Sequence, residues 1–145
     1  MITIAAAALL LLARAEAEPE TWRESLAEGG SFLSHGAAAD AAVRFRCVRP
    51  GLLRADLASI YTGEGPQPHN VTFESARTRA SYRLSAGADD NGRFSAEIPA
   101  IAPVMAAFRR NGALNLRAGR WHMIVRAASS AEIRVVAGFL ARCGV

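Results

Sequence analysis

Lysine is missing from this 145-residue chain, so all seventeen of its basic residues are arginine. With alanine abundant as well, GC-rich coding explains that bias more simply than a function does. Histidine is sparse: His35, His69 and His122 are far apart, and none has a carboxylate at helical spacing. That pattern argues against a metal centre or an acid–base site, and no cofactor or metal is implied. The chain also has no G-x-S-x-G elbow, no H-E-x-x-H, no phosphate-binding glycine loop and no C-x-x-C. Asp89-Asp-Asn-Gly92 suggests a calcium loop, but Arg93 stands where that pattern needs another Asp or Asn. Aromatic residues are only 7% of the chain and do not alternate with the arginines, which excludes a base-stacking nucleic-acid surface. Long apolar runs are missing too. The longest, Ile2 to Ala13, is about twelve residues, too short to cross roughly 30 Å of hydrocarbon as a helix.

That run does fit an export signal. Ala13-Arg-Ala15 and Ala15-Glu-Ala17 have the small-x-small form that signal peptidase recognises, so residues 1–17 read as a signal peptide cut after Ala17, with Ala15 as second choice. The expected location is periplasmic or secreted, with no transmembrane anchor left after cleavage. In such a compartment the only two cysteines, Cys47 and Cys143, are expected to pair. By the chain-entropy model, closing that loop removes on the order of 4 kcal/mol of unfolded-state freedom.

Length and composition allow one domain. Glu18 to Glu28 has helical composition with Pro19 near its start and Gly29-Gly30 at its end, and reads as a short helix. Residues 29–39 read as a linker, so 18–40 form an acidic N-terminal segment and 41–145 a single α+β domain. Val43, Phe45 and Cys47 alternate with Arg44 and Arg46, the period of a half-buried strand. Pro50-Gly51 turns the chain into a return strand bearing Leu53, Ala55 and Leu57 inward. Further inward rows follow at Val71 and Phe73, at Ala80, Tyr82 and Leu84, and at Phe94, Ala96 and Ile98, with Asn91-Gly92 as a hairpin turn between the last two. Ile101, Val104, Met105 and Phe108 then mark a helix that stops at Asn111-Gly112. Two short strands follow, carrying Leu114 and Leu116, then Trp121, Met123 and Val125. The final helix opens with Ser129-Ser-Ala-Glu132, a capping box, and carries Ile133, Val136, Leu140 and Cys143 on one face. Cys47 and Cys143 therefore both fall on inward rows by independent periodicities, which supports their pairing. The expected architecture is an antiparallel sheet of about six to eight strands with two helices packed on one face and one disulfide.

Charge is unevenly distributed. Glu16 to Asp40 holds six acids against Arg23, or −5; Ala41 to Val145 holds fifteen arginines against seven acids, or +8. A basic body of this kind attracts an acidic protein or an anionic envelope component, although solubility, or the leader folding back on the body, explains the split equally well. If the apolar rows face the helices, the opposite face presents Arg44, Arg46, Arg54, Arg83, Arg117 and Arg126, with Asp56, Glu74, Glu97 and His122. Arginine's planar fork suits carboxylate or phosphate; the alternative is a solvated face of cross-strand ion pairs. The function expected is a monomeric, non-enzymatic binding or accessory protein that meets an acidic partner. The alternative is a small hydrolase of envelope polymers using His69 or His122 with a loop acid.

The pattern Phe45-x-Cys47, Gly51-Leu-Leu, Tyr82-Arg-Leu84, Met105-Ala-Ala-Phe108 and Gly138-Phe-Leu-Ala-Arg-Cys143 resembles small exported proteobacterial proteins of unknown function. It is loosely similar to the VasI-like accessory proteins of type VI secretion, without the further cysteine-containing N-terminal segment associated with them. The resemblance spans roughly Trp22 to Cys143. It implies a periplasmic, non-enzymatic domain closed by a terminal disulfide between Cys47 and Cys143.

Overall fold

A computed structural model of the chain describes residues 20–27, 30–37, 41–58, 68–85 and 93–145. The expected signal peptide and the Asn91-Gly92 turn lie outside these residues. The elements are β1 (Trp22–Ala27), β2 (Gly30–His35), β3 (Val43–Arg49), β4 (Leu52–Leu57), β5 (Asn70–Ser75), β6 (Thr78–Arg83), β7 (Phe94–Pro99), α1 (Pro103–Asn111), β8 (Ala113–Ala118), β9 (Trp121–Arg126) and α2 (Ser130–Arg142). The α+β class and antiparallel pairing are as expected. The nine strands form two sheets, one of five in the order β1-β2-β3-β4-β7 and one of four in the order β6-β5-β8-β9. Among the described residues a single bridge links the sheets edge to edge. Ser85 and Ser95 exchange backbone hydrogen bonds of 2.8 and 3.1 Å, and beyond them β6 and β7 separate.

The extra strands come from the segment read as helix and linker. Residues 22–27 are a strand, and 30–35 form its hairpin partner, which pairs in turn with β3 through Leu33 opposite Phe45. Trp22 and Leu26, four apart, suit a helix edge, but they also sit on one face of a strand. Tertiary pairing decides between the two readings, because only the strand seats Trp22 in the core, where it is 2% exposed. The apolar core therefore begins well upstream of Asp40.

The inward rows meet between the sheets. Rings run from Trp22 to Phe108 (5.1 Å between centroids), to Phe45 (5.6 Å), to Phe73 (6.4 Å) and to Tyr82 (5.9 Å), linking β1, α1, β3, β5 and β6. Helix α1 packs on β5, β6 and α2, and α2 lies against β1. In α1 the buried residues are Val104, Met105, Ala107 and Phe108. Ile101, expected on that stripe, precedes the N-cap and is 89% exposed, because Pro103 starts the helix. The helix stops where expected, with Gly112 left-handed at φ 63° and its N–H on the Phe108 carbonyl.

Helix α2 opens on Ser129, whose Oγ accepts from the Glu132 N–H at 3.2 Å. The buried Glu132 carboxylate accepts from the Ala128 N–H (2.7 Å), and also from the Trp22 N–H (2.9 Å). Indole Nε1 of Trp22 donates to the Gly112 carbonyl at 2.9 Å. At the other end of α2, Arg142 pairs with Glu24, and the Cys143 carbonyl accepts from the Gly51 N–H at 2.8 Å. Cys47 and Cys143 form the disulfide, with Cα atoms 5.6 Å apart.

A Cβ added at Gly112 would lie 2.7 Å from that of Ala127 in a backbone conformation that side chains resist, so Gly112→Ala is expected to cost about 2–4 kcal/mol in denaturant unfolding. Alkylation of unreduced native protein should label neither cysteine. Cys47→Ser with Cys143→Ser should lose on the order of 4 kcal/mol.

Candidate functional site

Alternation along each strand sends every second side chain away from the helices, and two outward faces result, one per sheet. The six arginines expected on a single face are divided between them: Arg44, Arg46 and Arg54 on the five-stranded sheet, Arg83, Arg117 and Arg126 on the four-stranded one.

The first group is engaged largely within the protein. Arg44 lies directly across from Asp56, and Arg46 from Arg54. Asp56 is 4% exposed, and its two oxygens accept from Arg44 Nε at 3.3 Å and Arg54 Nε at 3.1 Å. One buried carboxylate thus holds two guanidinium groups, an arrangement with little to offer a partner. The Arg44 guanidinium also sits 5.1 Å over the Phe32 ring. Arg46 Nε is buried with no hydrogen-bond partner among the described residues.

The second group lies on a different kind of surface. Thr72 of β5 stands between Ser81 of β6 and Arg117 of β8, and Arg117 stands opposite His122 of β9. In the next row Glu74 stands between Arg79 and Asn115, which faces Ile124. A groove of about 450 Å³ crosses these rows, lined by Thr72, Glu74, Arg79, Ser81, Asn115 and Arg117. Polar groups pair along the rows, Thr72 with Ser81 (2.7 Å) and Arg79 with Glu74 (3.0 Å), and His122 bonds Asn115 diagonally between them (2.6 Å). Glu74 is thereby taken by Arg79. Arg117, exposed in the middle of this face, has no ion pair or side-chain hydrogen bond among the described residues, and the same holds for Arg83 and Arg126. Sequence alternation alone could have placed Thr72, Ser81 and Asn115 on this face, since each sits between inward apolar residues.

A second groove, of about 390 Å³, opens where the sheets part below the Ser85–Ser95 bridge. Arg54, Tyr82, Arg83, Ser85, Ser95 and Glu97 line it. Burial raises the Tyr82 phenol above its ordinary pKa.

The histidines stand apart from one another. His35 lies edge-on to Trp22 with Nδ1 3.8 Å from the Glu20 carboxylate, His69 is exposed just before β5, and His122 bonds Asn115. Among the described residues no group of three or more His, Cys, Asp or Glu is placed to hold a metal ion. Comparison with protein-family models, with curated proteins and with solved structures gave no match. The likeness to exported VasI-like proteins therefore rests on its short motifs alone.

Because Asp56 serves two buried-side arginines, Asp56→Asn should destabilise the fold by about 2–4 kcal/mol in urea unfolding. Glu97→Gln, at an exposed carboxylate of the same sheet, should cost under about 0.5 kcal/mol.

Proposed function

We propose that this chain is an exported binding protein that meets an acidic partner through the outward face of its four-stranded sheet. The observation that carries the reading is the position of Arg117: exposed at the centre of a face of hydroxyls and amides, with Arg83 and Arg126 farther out on the same face and the local carboxylate Glu74 already held by Arg79. A guanidinium without an internal partner keeps its fork of donors available for an external carboxylate. On the other sheet Asp56 occupies Arg44 and Arg54, and Arg46 is half-buried rather than exposed.

A periplasmic or secreted location goes with this reading. The Cys47–Cys143 bridge suits an oxidising compartment, and among the described residues no helix is long and apolar enough to cross a membrane. The apolar run from Ile2 to Ala13 followed by Ala15-Glu-Ala17 supports export.

The test is retention on immobilised poly-L-glutamate. The wild-type chain should be held at about 0.05 M salt and released by about 0.5 M, since exposed charges are screened over that range. Arg83→Ala, Arg117→Ala and Arg126→Ala combined should abolish retention. Arg49→Ala, Arg110→Ala and Arg134→Ala combined remove the same charge from elsewhere on the surface and should leave most of it. Equal loss in both variants would reduce the effect to net charge and remove the face-specific reading.

A further inference from the structure

The four-stranded sheet has two lateral edges. That of β6 approaches β7 at the Ser85–Ser95 bridge, whereas that of β9 meets no strand among the described residues. The Ala127 N–H donates to the Gly112 carbonyl at 2.9 Å, which fixes the polarity of β9. With the period of two, Val125, Met123 and Trp121 direct their backbone groups at β8. His122, Ile124 and Arg126 direct theirs away from the sheet. Those outward N–H and C=O groups have no backbone partner among the described residues.

Edge strands are usually protected by proline, by a bulge, by a charge pointing inward or by a covering element. Strand β9 has no proline and no register shift against β8, and Ile124 at its middle is 51% exposed. The outermost strand of the other sheet, β1, is treated differently. Its Trp22 N–H is held by Glu132, its Glu24 by Arg142, and α2 lies against it. Charge marks the β9 edge further. From Ala113 to Arg126 the hairpin carries Arg117, Arg120, Arg126 and His122 and no acid.

We propose that the β9 edge takes an extended acidic polypeptide segment as a fifth strand, its backbone pairing with His122, Ile124 and Arg126. This rests on the acidic-partner reading and specifies the partner's form. The register dictates its pattern. On the outward face an apolar side chain would sit beside Ile124, with carboxylates two residues to either side, near Arg126 and near the His122–Arg117 row. On the other face the intervening side chains lie beside the half-buried Met123 and the buried Val125 and are apolar. A second copy fits less well, because antiparallel self-pairing about Ile124 would set His122 against Arg126 and gather three arginines from each hairpin.

The probe is the peptide acetyl-Ser-Glu-Val-Ile-Val-Glu-Ser-amide, titrated into the full chain and followed by amide hydrogen exchange. Binding should slow exchange at His122, Ile124 and Arg126 by about tenfold or more at saturation. N-methylation of the three peptide amides that face β9, those of the isoleucine and both glutamates, leaves charge unchanged but blocks pairing, and should weaken binding by about tenfold or more. Replacing both glutamates with lysine should abolish it. Ile124→Pro deletes only an outward N–H, leaves the bonds to β8 in place, and should abolish protection while circular dichroism stays unchanged. If that variant misfolds, Ile124→Asp serves, since it removes the apolar contact and sets a carboxylate between the two of the peptide, and it too should abolish protection. Equal binding of the methylated and unmethylated peptides, with both weakened by Arg117→Ala, would overturn strand addition and leave the acidic-partner reading standing. Retention on polyglutamate with no binding of the peptide would do the same. Concentration-dependent protection of β9 without peptide would identify a second copy as the occupant and overturn the proposal.

Discussion

One pair of backbone hydrogen bonds, between Ser85 and Ser95, is all that joins the two sheets edge to edge among the described residues. Two bonds, each with a net worth of about 1 kcal/mol, cannot hold two sheets in register, so the fold depends on what lies between them. The first such tie is apolar. The rings of Trp22, Phe108, Phe45, Phe73 and Tyr82 run from one end of the assembly to the other, and no sheet supplies them all. The second is α2, which leaves the end of β9 in one sheet and finishes at the β3–β4 turn of the other. The disulfide then makes that span covalent. Trp22 belongs to both ties, with its ring in the aromatic row, its N–H on Glu132 and its indole N–H on Gly112.

This dependence explains which parts of the fold were legible in the sequence. Strands β3 to β9 alternate because each has one buried face, and such a pattern is local information. The end of α1 at Gly112, the start of α2 at Ser129 and the pairing of the cysteines were legible for the same reason. Strands β1 and β2 were not. Trp22 to Glu28 has helical composition, and residues 29–39 look like a linker. Their strand state is imposed by the pairing of Leu33 with Phe45 and by the Trp22 site, neither of which exists until the rest has folded. Glu132 was legible as a cap but not as the acceptor for the Trp22 N–H, 110 residues away in sequence. The outward arginines could be recognised from alternation, yet their division between two sheets depends on connections that carry no periodicity.

The division also separates two electrostatic roles. On the five-stranded sheet a buried carboxylate between Arg44 and Arg54 converts potential binding groups into structure, because a charge out of water must be neutralised locally. On the four-stranded sheet Arg83, Arg117 and Arg126 stay in solvent, where having no ion pair among the described residues costs little. The +8 of the body is therefore a poor guide to where a partner would bind. What matters is which guanidinium groups the fold has already used.

The two outermost strands show the same economy in backbone groups. Strand β1 must be sealed, because the chain between Trp22 and Glu24 is part of the frame that fastens α2. Among the described residues strand β9 pairs with β8 alone, but its placement is fixed: it leads into α2, whose far end is bonded to β3 through sulfur. An edge already in strand geometry loses little conformational freedom when another segment pairs with it, so the ordering cost falls on the incoming chain alone. The covalent bridge and the open edge are thus connected, since holding β9 in place by α2 and the disulfide is what allows its outward side to remain unpaired without fraying.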